Sequence, residues 1–285
     1  MDSGFRLEYA EWTEETKPGE IPLLCIHGTG GSMEMWERYT FPAFWQAGFQ
    51  RFLAVNMPGY GQSSRLAVHD LEGYREVLRA FLEALSIPKV HLLGISFGGS
   101  VTLSFTSKYP EQIATVTVQE PSYGNIHLPR PVYHLLRATS AAMRHLPYSI
   151  DRRMSGLLTT SPVTGFLGRK LNPVDLELLD EIGDYRKIAH EVGRKSSLRA
   201  FLENVVSGGN LTLAQEIRQI QTPVLITTGE WTHNKSLRVT QSLLDIFPEA
   251  RAQLITIPKA GHLAPYTNAS AFAAALSSFI GTHTL

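Results

Sequence analysis

Val90-His91-Leu92-Leu93-Gly94-Ile95-Ser96-Phe97-Gly98-Gly99-Ser100 joins an apolar run to a Gly-x-Ser-x-Gly turn and a second apolar-rich segment. The run has the length and aliphatic content of a buried strand, and Ser100 to Tyr109 reads as a helix. A serine on so tight a strand-to-helix turn sits in strained backbone geometry, with its Oγ pushed above the strand ends. Glycines 94 and 98 are expected because side chains there would run into neighbouring backbone. The helix N-terminus behind Ser96 supplies a positive dipole and unpaired N–H groups. Both favour a developing oxyanion, which makes the Phe97 amide a candidate donor. The motif is short enough to arise by chance in a turn. The strand before it and the helix after it are what give it meaning.

Outward from this turn, short apolar runs at 21–26, 52–57, 113–118, 223–228 and 253–257 each end at a turn signal. Helical spacing fills the intervals, as in the stripe Leu71, Tyr74, Leu78, Phe81, Leu82 and Leu85. Residues 236–247 and 269–280 read as further helices. Near-continuous apolar strands alternating with helices imply an α/β fold with a mostly parallel sheet covered on both faces. Residues 5–12 are expected to add an antiparallel edge hairpin.

The alternation breaks between about 125 and 208, where 132–146 and 173–192 have helical patterns and no strand is convincing. Asn172-Pro173-Val174-Asp175 is a good helix start: a capping side chain, a proline in the first turn, then an acid near the dipole. The expected organisation is a core over 1–124 and 209–285, interrupted by a helical lid over 125–208. The first half of the lid is basic and the second acidic. Two solvated helix faces that attract each other explain this better than an anion-binding patch.

Two further turns lie where the sheet would end. His27-Gly28-Thr29-Gly30-Gly31-Ser32 follows the first core strand, and its glycine-rich backbone can offer an N–H from Thr29 or Gly30 to the same oxyanion as Phe97. A phosphate loop would need a Lys followed by Ser or Thr, which is absent. His262 follows the last strand in Ile257-Pro258-Lys259-Ala260-Gly261-His262, at the carboxyl edge where open α/β sheets bind ligands. A neutral imidazole there can take the Ser96 proton and return it to a leaving group. Tyr123, Phe166 and Trp231 fall near the mouth such a site would have. They point to an apolar or aromatic small-molecule substrate, although packing of the lid on the core would use them equally.

Composition excludes several classes. The 285 residues carry 26 Lys plus Arg and 26 Asp plus Glu, so no net field would hold nucleic acid or an acidic membrane. The one cysteine, Cys25, allows no internal disulfide. The start has no apolar segment behind a basic stretch, and no apolar run has the length of a membrane span; a cytoplasmic protein is expected. No His, Cys, Asp or Glu cluster has metal-ligand spacing, so neither a metal nor another cofactor is expected. A monomer or homodimer would be usual.

Together the His27–Gly31 turn, Asn56-Met57-Pro58-Gly59-Tyr60-Gly61-Gln62-Ser63-Ser64, the serine turn and Gly261-His262 resemble the α/β-hydrolase superfamily. That resemblance covers the chain apart from the lid. It implies a core sheet of about eight strands, a helical cap and a triad in the order serine, acid, histidine. The acid is where this sequence departs. The usual aspartate position, three residues beyond Gly229, is Thr232. A second location known in the superfamily, at the end of the strand before the cap, holds Glu120. Glu230 and a dyad without an acid are the alternatives. The implied activity is that of a serine hydrolase, most simply a carboxylic ester hydrolase, working through Ser96, His262 and Glu120. Two other readings stand beside it. One is a non-hydrolytic enzyme (cofactor-free dioxygenase, lyase or cyclase) using His262 and Glu120 as an acid–base pair. The other is a silent ligand-binding protein on the same fold.

Overall fold

The computed structural model describes residues 4–13, 20–122, 129–159, 173–182, 185–207, 212–247 and 251–283. Seven strands form one sheet: β1 (Tyr9–Thr13), β2 (Leu23–Ile26), β3 (Arg51–Val55), β4 (Val90–Ile95), β5 (Ile113–Gln119), β6 (Val224–Gly229) and β7 (Ala252–Ile257). Their order is β1-β3-β2-β4-β5-β6-β7; β1 runs antiparallel to β3, and every other pairing is parallel. The sheet thus has seven strands among the described residues, against about eight implied by the resemblance. The segment expected as an edge hairpin is a single edge strand. Its residues are mostly exposed, Tyr9 and Trp12 among them, and among the described residues it pairs only with β3.

The apolar strand runs are continuous because successive side chains go to opposite faces and both faces are buried. Leu24, Ile26, Leu53, Val55 and Leu92 join the core on one side of the sheet. Leu23, Cys25, Phe52, Ala54 and Leu93 join the core on the other.

In chain order the helices are α1 (Met33–Met35), α2 (Phe41–Gln46), α3 (Leu71–Ala84), α4 (Phe97–Lys108), α5 (Arg130–Met143), α6 (Tyr148–Thr159), α7 (Pro173–Ile182), α8 (Tyr185–Lys195), α9 (Leu198–Ser207), α10 (Thr212–Ile217), α11 (Asn234–Leu244), α12 (Ala264–Thr267) and α13 (Ala269–His283). A π-helical turn over Trp36–Thr40 links α1 to α2. Helix α3 starts where the Asp70 carboxylate accepts the Gly73 N–H at 2.8 Å, and its predicted stripe is buried from Leu71 to Leu82. Helices α5 to α10 all fall between β5 and β6, and none of the described residues there forms a strand.

The charges of this insertion are less solvated than its sequence suggests. Arg144 in the basic half does pair with Glu203 in the acidic half, at 3.2 Å. Asp151, Asp175 and Glu203 are nevertheless buried, and each reaches the core. Asp151 binds Arg65 at 3.1 Å, Glu203 binds His69 Nδ1 at 2.8 Å, and Asp175 accepts the Gly261 N–H at 3.0 Å. Among the described residues no helix is long and apolar enough to cross a membrane.

Candidate active site

The carboxyl ends of β2, β4, β5, β6 and β7 bring together most of the residues the sequence singles out. Ser96 stands between β4 and α4 with φ 54° and ψ −122°, a conformation that L side chains seldom adopt. The turn is held by its own backbone: Ser96 N–H donates to Gln119 O at 2.9 Å, and Ser96 O accepts from Ser122 N at 3.2 Å. The two motif glycines are required by close approach. A Cβ on Gly94 would lie 2.3 Å from Gly98 O, and one on Gly98 would lie 2.4 Å from His27 O.

The His27 turn packs directly against this serine. Gly31 N–H closes it onto Gly28 O at 3.0 Å, with Gly30 at φ 77° in the position where such a turn needs glycine. His27 braces the turn from below: its Nδ1 donates to Gly28 O at 2.8 Å, and its Nε2 accepts the Met57 N–H at 3.0 Å. Burial pushes its pKa down to about 4, so the ring is neutral and structural. The Gly30 amide interacts with the buried Tyr60 phenol oxygen. The Thr29 and Phe97 amides have no acceptor among the described residues.

His262 meets Glu120 across 142 residues of sequence. Its Nδ1 lies 2.9 Å from Glu120 Oε2. With Nδ1–H donating to a carboxylate, the lone pair of the ring is on Nε2. The other carboxylate oxygen, Oε1, accepts from Thr228 Oγ1 at 2.9 Å, Gly229 N at 3.1 Å and the Thr232 hydroxyl. Thr232, the residue standing where the usual acid would be, is therefore a donor to the acid on the neighbouring strand. Glu230 turns away and accepts the Lys259 N–H at 2.7 Å. Glu120 sits at φ 42°, its own N–H bonded to Thr227 O at 3.1 Å. Burial opposes its ionisation, but the His262 hydrogen bond and charge, with the Thr232 and Gly229 donors, hold its carboxyl below the ordinary value. Burial likewise works against the imidazolium, yet the Glu120 bond and charge, with Asp175 beyond, raise His262 above 6.5. Ser96 Oγ and His262 are not hydrogen-bonded to each other in this structure.

Of the three aromatic residues expected at the mouth, Tyr123 and Phe166 lie outside the described residues. Trp231 is 45% exposed, in the turn between Gly229 and Thr232, with its N–H on Ala260 O at 2.9 Å. Sequence reading missed Phe201. It is 40% exposed on α9, and its ring edge lies 3.7 Å from where a Cβ on Gly30 would stand, so it overhangs the His27 turn. An apolar residue among buried ones on an amphipathic helix gives no signal of that placement. Among the described residues no group of three or more His, Cys, Asp or Glu side chains is placed to hold a metal ion.

A family profile for the α/β-hydrolase fold matches residues 21–269. The dihydrolipoyllysine-residue acetyltransferase component of the acetoin cleaving system of Pseudomonas putida is 35% identical over 108 residues. That match takes in 38% of this chain and only 28% of the relative's length. A 2-hydroxy-6-oxononadienedioate/2-hydroxy-6-oxononatrienedioate hydrolase of a Pseudomonas species is 23% identical over 268 residues, covering 92% of this chain and 88% of the relative. The crystal structure of the enol-lactonase from Burkholderia xenovorans LB400 superposes with a TM-score of 0.76 at 16% identity, over 98% of each chain. At that identity it speaks for the fold alone. With the profile spanning most of the sequence and the sheet order, serine turn and histidine loop all in place, the chain belongs to the α/β-hydrolase fold family.

Proposed function

We propose that this protein is a serine hydrolase that cleaves an ester or related carbonyl bond of a small, apolar or aromatic substrate. The observation that carries the reading is the His262 Nδ1–Glu120 Oε2 bond of 2.9 Å, which leaves Nε2 basic at the same sheet edge that carries the strained Ser96 turn. In the first half-reaction His262 Nε2 takes the Ser96 proton as Oγ attacks the carbonyl carbon. The oxyanion is received by the Phe97 and Thr29 amides. Thr29 is favoured over Gly30 because the Gly30 amide faces the Tyr60 phenol oxygen while the Thr29 amide has no acceptor among the described residues. Collapse expels the leaving group, which takes the proton from His262 and leaves Ser96 acylated. In the second half-reaction His262 deprotonates a water that attacks the acyl carbon, and Ser96 departs with the proton. Glu120 balances the imidazolium in both halves. The missing Ser96–His262 contact is of a kind that is often long in an unliganded site and tightens with substrate. Trp231 and Phe201 are proposed to line the mouth, and helices α5 to α10 to act as its cap.

Turnover of a panel of aryl and alkyl esters tests this. The wild-type protein should hydrolyse at least the small aryl esters, and Ser96→Ala should lose about 10⁴-fold or more of kcat. A folded wild-type protein inert to every ester, or a Ser96→Ala variant as active as wild type, would contradict it.

One observation favours a second reading. Glu120 and His262 are bonded to each other while Ser96 is bonded to neither, as a non-hydrolytic acid–base pair would also be arranged. Oxygen uptake with a heteroaromatic substrate, retained in Ser96→Ala, would select that reading.

A further inference from the structure

The loop that carries His262 is gripped by a carboxylate from the helical insertion. Asp175, in the first turn of α7, is 2% exposed. Its Oδ1 accepts the Gly261 N–H at 3.0 Å, and the Leu263 N–H is directed to the same carboxylate. The Thr267 hydroxyl approaches at 3.5 Å. The fit is close: a Cβ on Gly261 would lie 2.5 Å from Asp175 Oδ2. The Gly261 amide, next to His262, is thus anchored to the Asp175 side chain, with the Leu263 amide facing the same carboxylate. The His262 carbonyl accepts from Gln119 Nε2 at 3.2 Å, and its ring is bonded to Glu120. Removing Asp175 would take from the histidine loop the carboxylate that accepts the Gly261 N–H and leave that amide to find a new acceptor.

Sequence reading explains Asp175 as an acid near a helix dipole, a role a solvated side chain would fill. Its burial against the histidine loop calls for another.

We propose that Asp175 is a positioning residue: it reaches from the insertion into the Gly261–Leu263 backbone and holds His262 in register with Glu120, so that docking of α7 completes the site. This rests on His262 being the general base of the proposed function. The charged groups that act on His262 are Glu120 from the end of β5 and Asp175 from α7, and those that act on Asp175 are His262 and Glu120. Both carboxylates favour the imidazolium, so losing either lets the His262 pKa fall.

The test compares Asp175→Ala and Asp175→Asn, reading ester turnover and the His262 ring titration by nitrogen NMR. Asp175→Ala should lower kcat about tenfold or more while KM changes less, and should shift the His262 titration downward. Asp175→Asn keeps one acceptor oxygen but has no charge, so it should regain part of kcat while its titration stays low. It also serves as the folded comparison if the alanine variant is unstable. Wild-type kcat and wild-type His262 titration in either folded variant would overturn the proposal. The NMR reading does not depend on hydrolysis, so a protein without esterase activity still tests the brace, and failure of the brace leaves the serine chemistry standing.

Discussion

At the residue scale, Glu120 and His262 set each other's charge. His262 on Oε2, with donors from Thr228, Gly229 and Thr232 on Oε1, holds the Glu120 carboxyl below its ordinary value despite burial. The partner effect lifts His262 above its ordinary 6.5 against the pull of burial. The proposed general-base role needs the neutral ring, so kcat/KM should rise as pH climbs through this raised value. Glu120→Gln removes the charge and should lower kcat about a thousandfold. It should also move the acid limb of the pH profile of kcat/KM to lower pH. An unmoved limb would show that Glu120 does not act on the base. The placement of Ser96 and His262 at the strand ends was legible because each sits in a local motif between recognisable elements. The partnership with Glu120 was visible only by resemblance, since nothing local announces a contact spanning 142 positions. Asp175 does lie in the first turn of a helix, as its sequence context implies, but nothing local shows that it binds the Gly261 amide.

At the scale of elements, the ends of β5 and β6 lie side by side, with Gln119 paired to Thr227 in register. An acid at the end of either strand therefore faces the loop after β7. This protein has Glu120 just after β5 and Thr232 after β6, donating to it. Moving the acid with Glu120→Gln plus Thr232→Asp should recover at least tenfold in kcat over Glu120→Gln alone, because the proposed triad needs a charge facing Nδ1 rather than a particular strand. A double variant no better than the single one would mean that the β6 turn does not present its side chain to His262. The core strands were readable to within a few residues because burial on both faces makes them continuous apolar runs. Residues 33–46 were not read as helix. There Trp36, Phe41 and Phe44 are all buried around a π-helical turn, which breaks the 3.6-residue spacing that reveals an amphipathic helix.

At the scale of the whole molecule, the insertion is tied to the core by buried charge. Glu203 on α9 is 6% exposed and joins His69 of the core to Arg144 and Arg199 of the insertion. Burial raises its carboxyl pKa, but the His69 side-chain and backbone bonds outweigh that and bring it below 4.5. A depressed carboxylate contributes its stability in full above the unfolded value and loses it as pH falls through the folded one. Glu203→Gln leaves the buried Arg199 short of a partner and should cost about 3 kcal/mol at neutral pH by urea unfolding. The gap to wild type should narrow as pH drops below 4.5. A gap independent of pH would place the loss in packing rather than charge. Sequence predicted attraction between the two halves of the insertion, and the Arg144–Glu203 pair is of that kind. It could not predict that the same acids reach into the core, because net composition carries no information about which side of a helix is covered.

The most direct test of the central claim is fluorophosphonate labelling of the intact protein, with the adduct located by peptide mass and Ser96→Ala treated alongside. One label per chain is expected, on Ser96, absent from the variant and formed faster as pH rises through the raised His262 pKa. A folded wild-type protein that takes no label, or takes it equally in Ser96→Ala, would contradict the account and leave His262 and Glu120 to be examined as an acid–base pair.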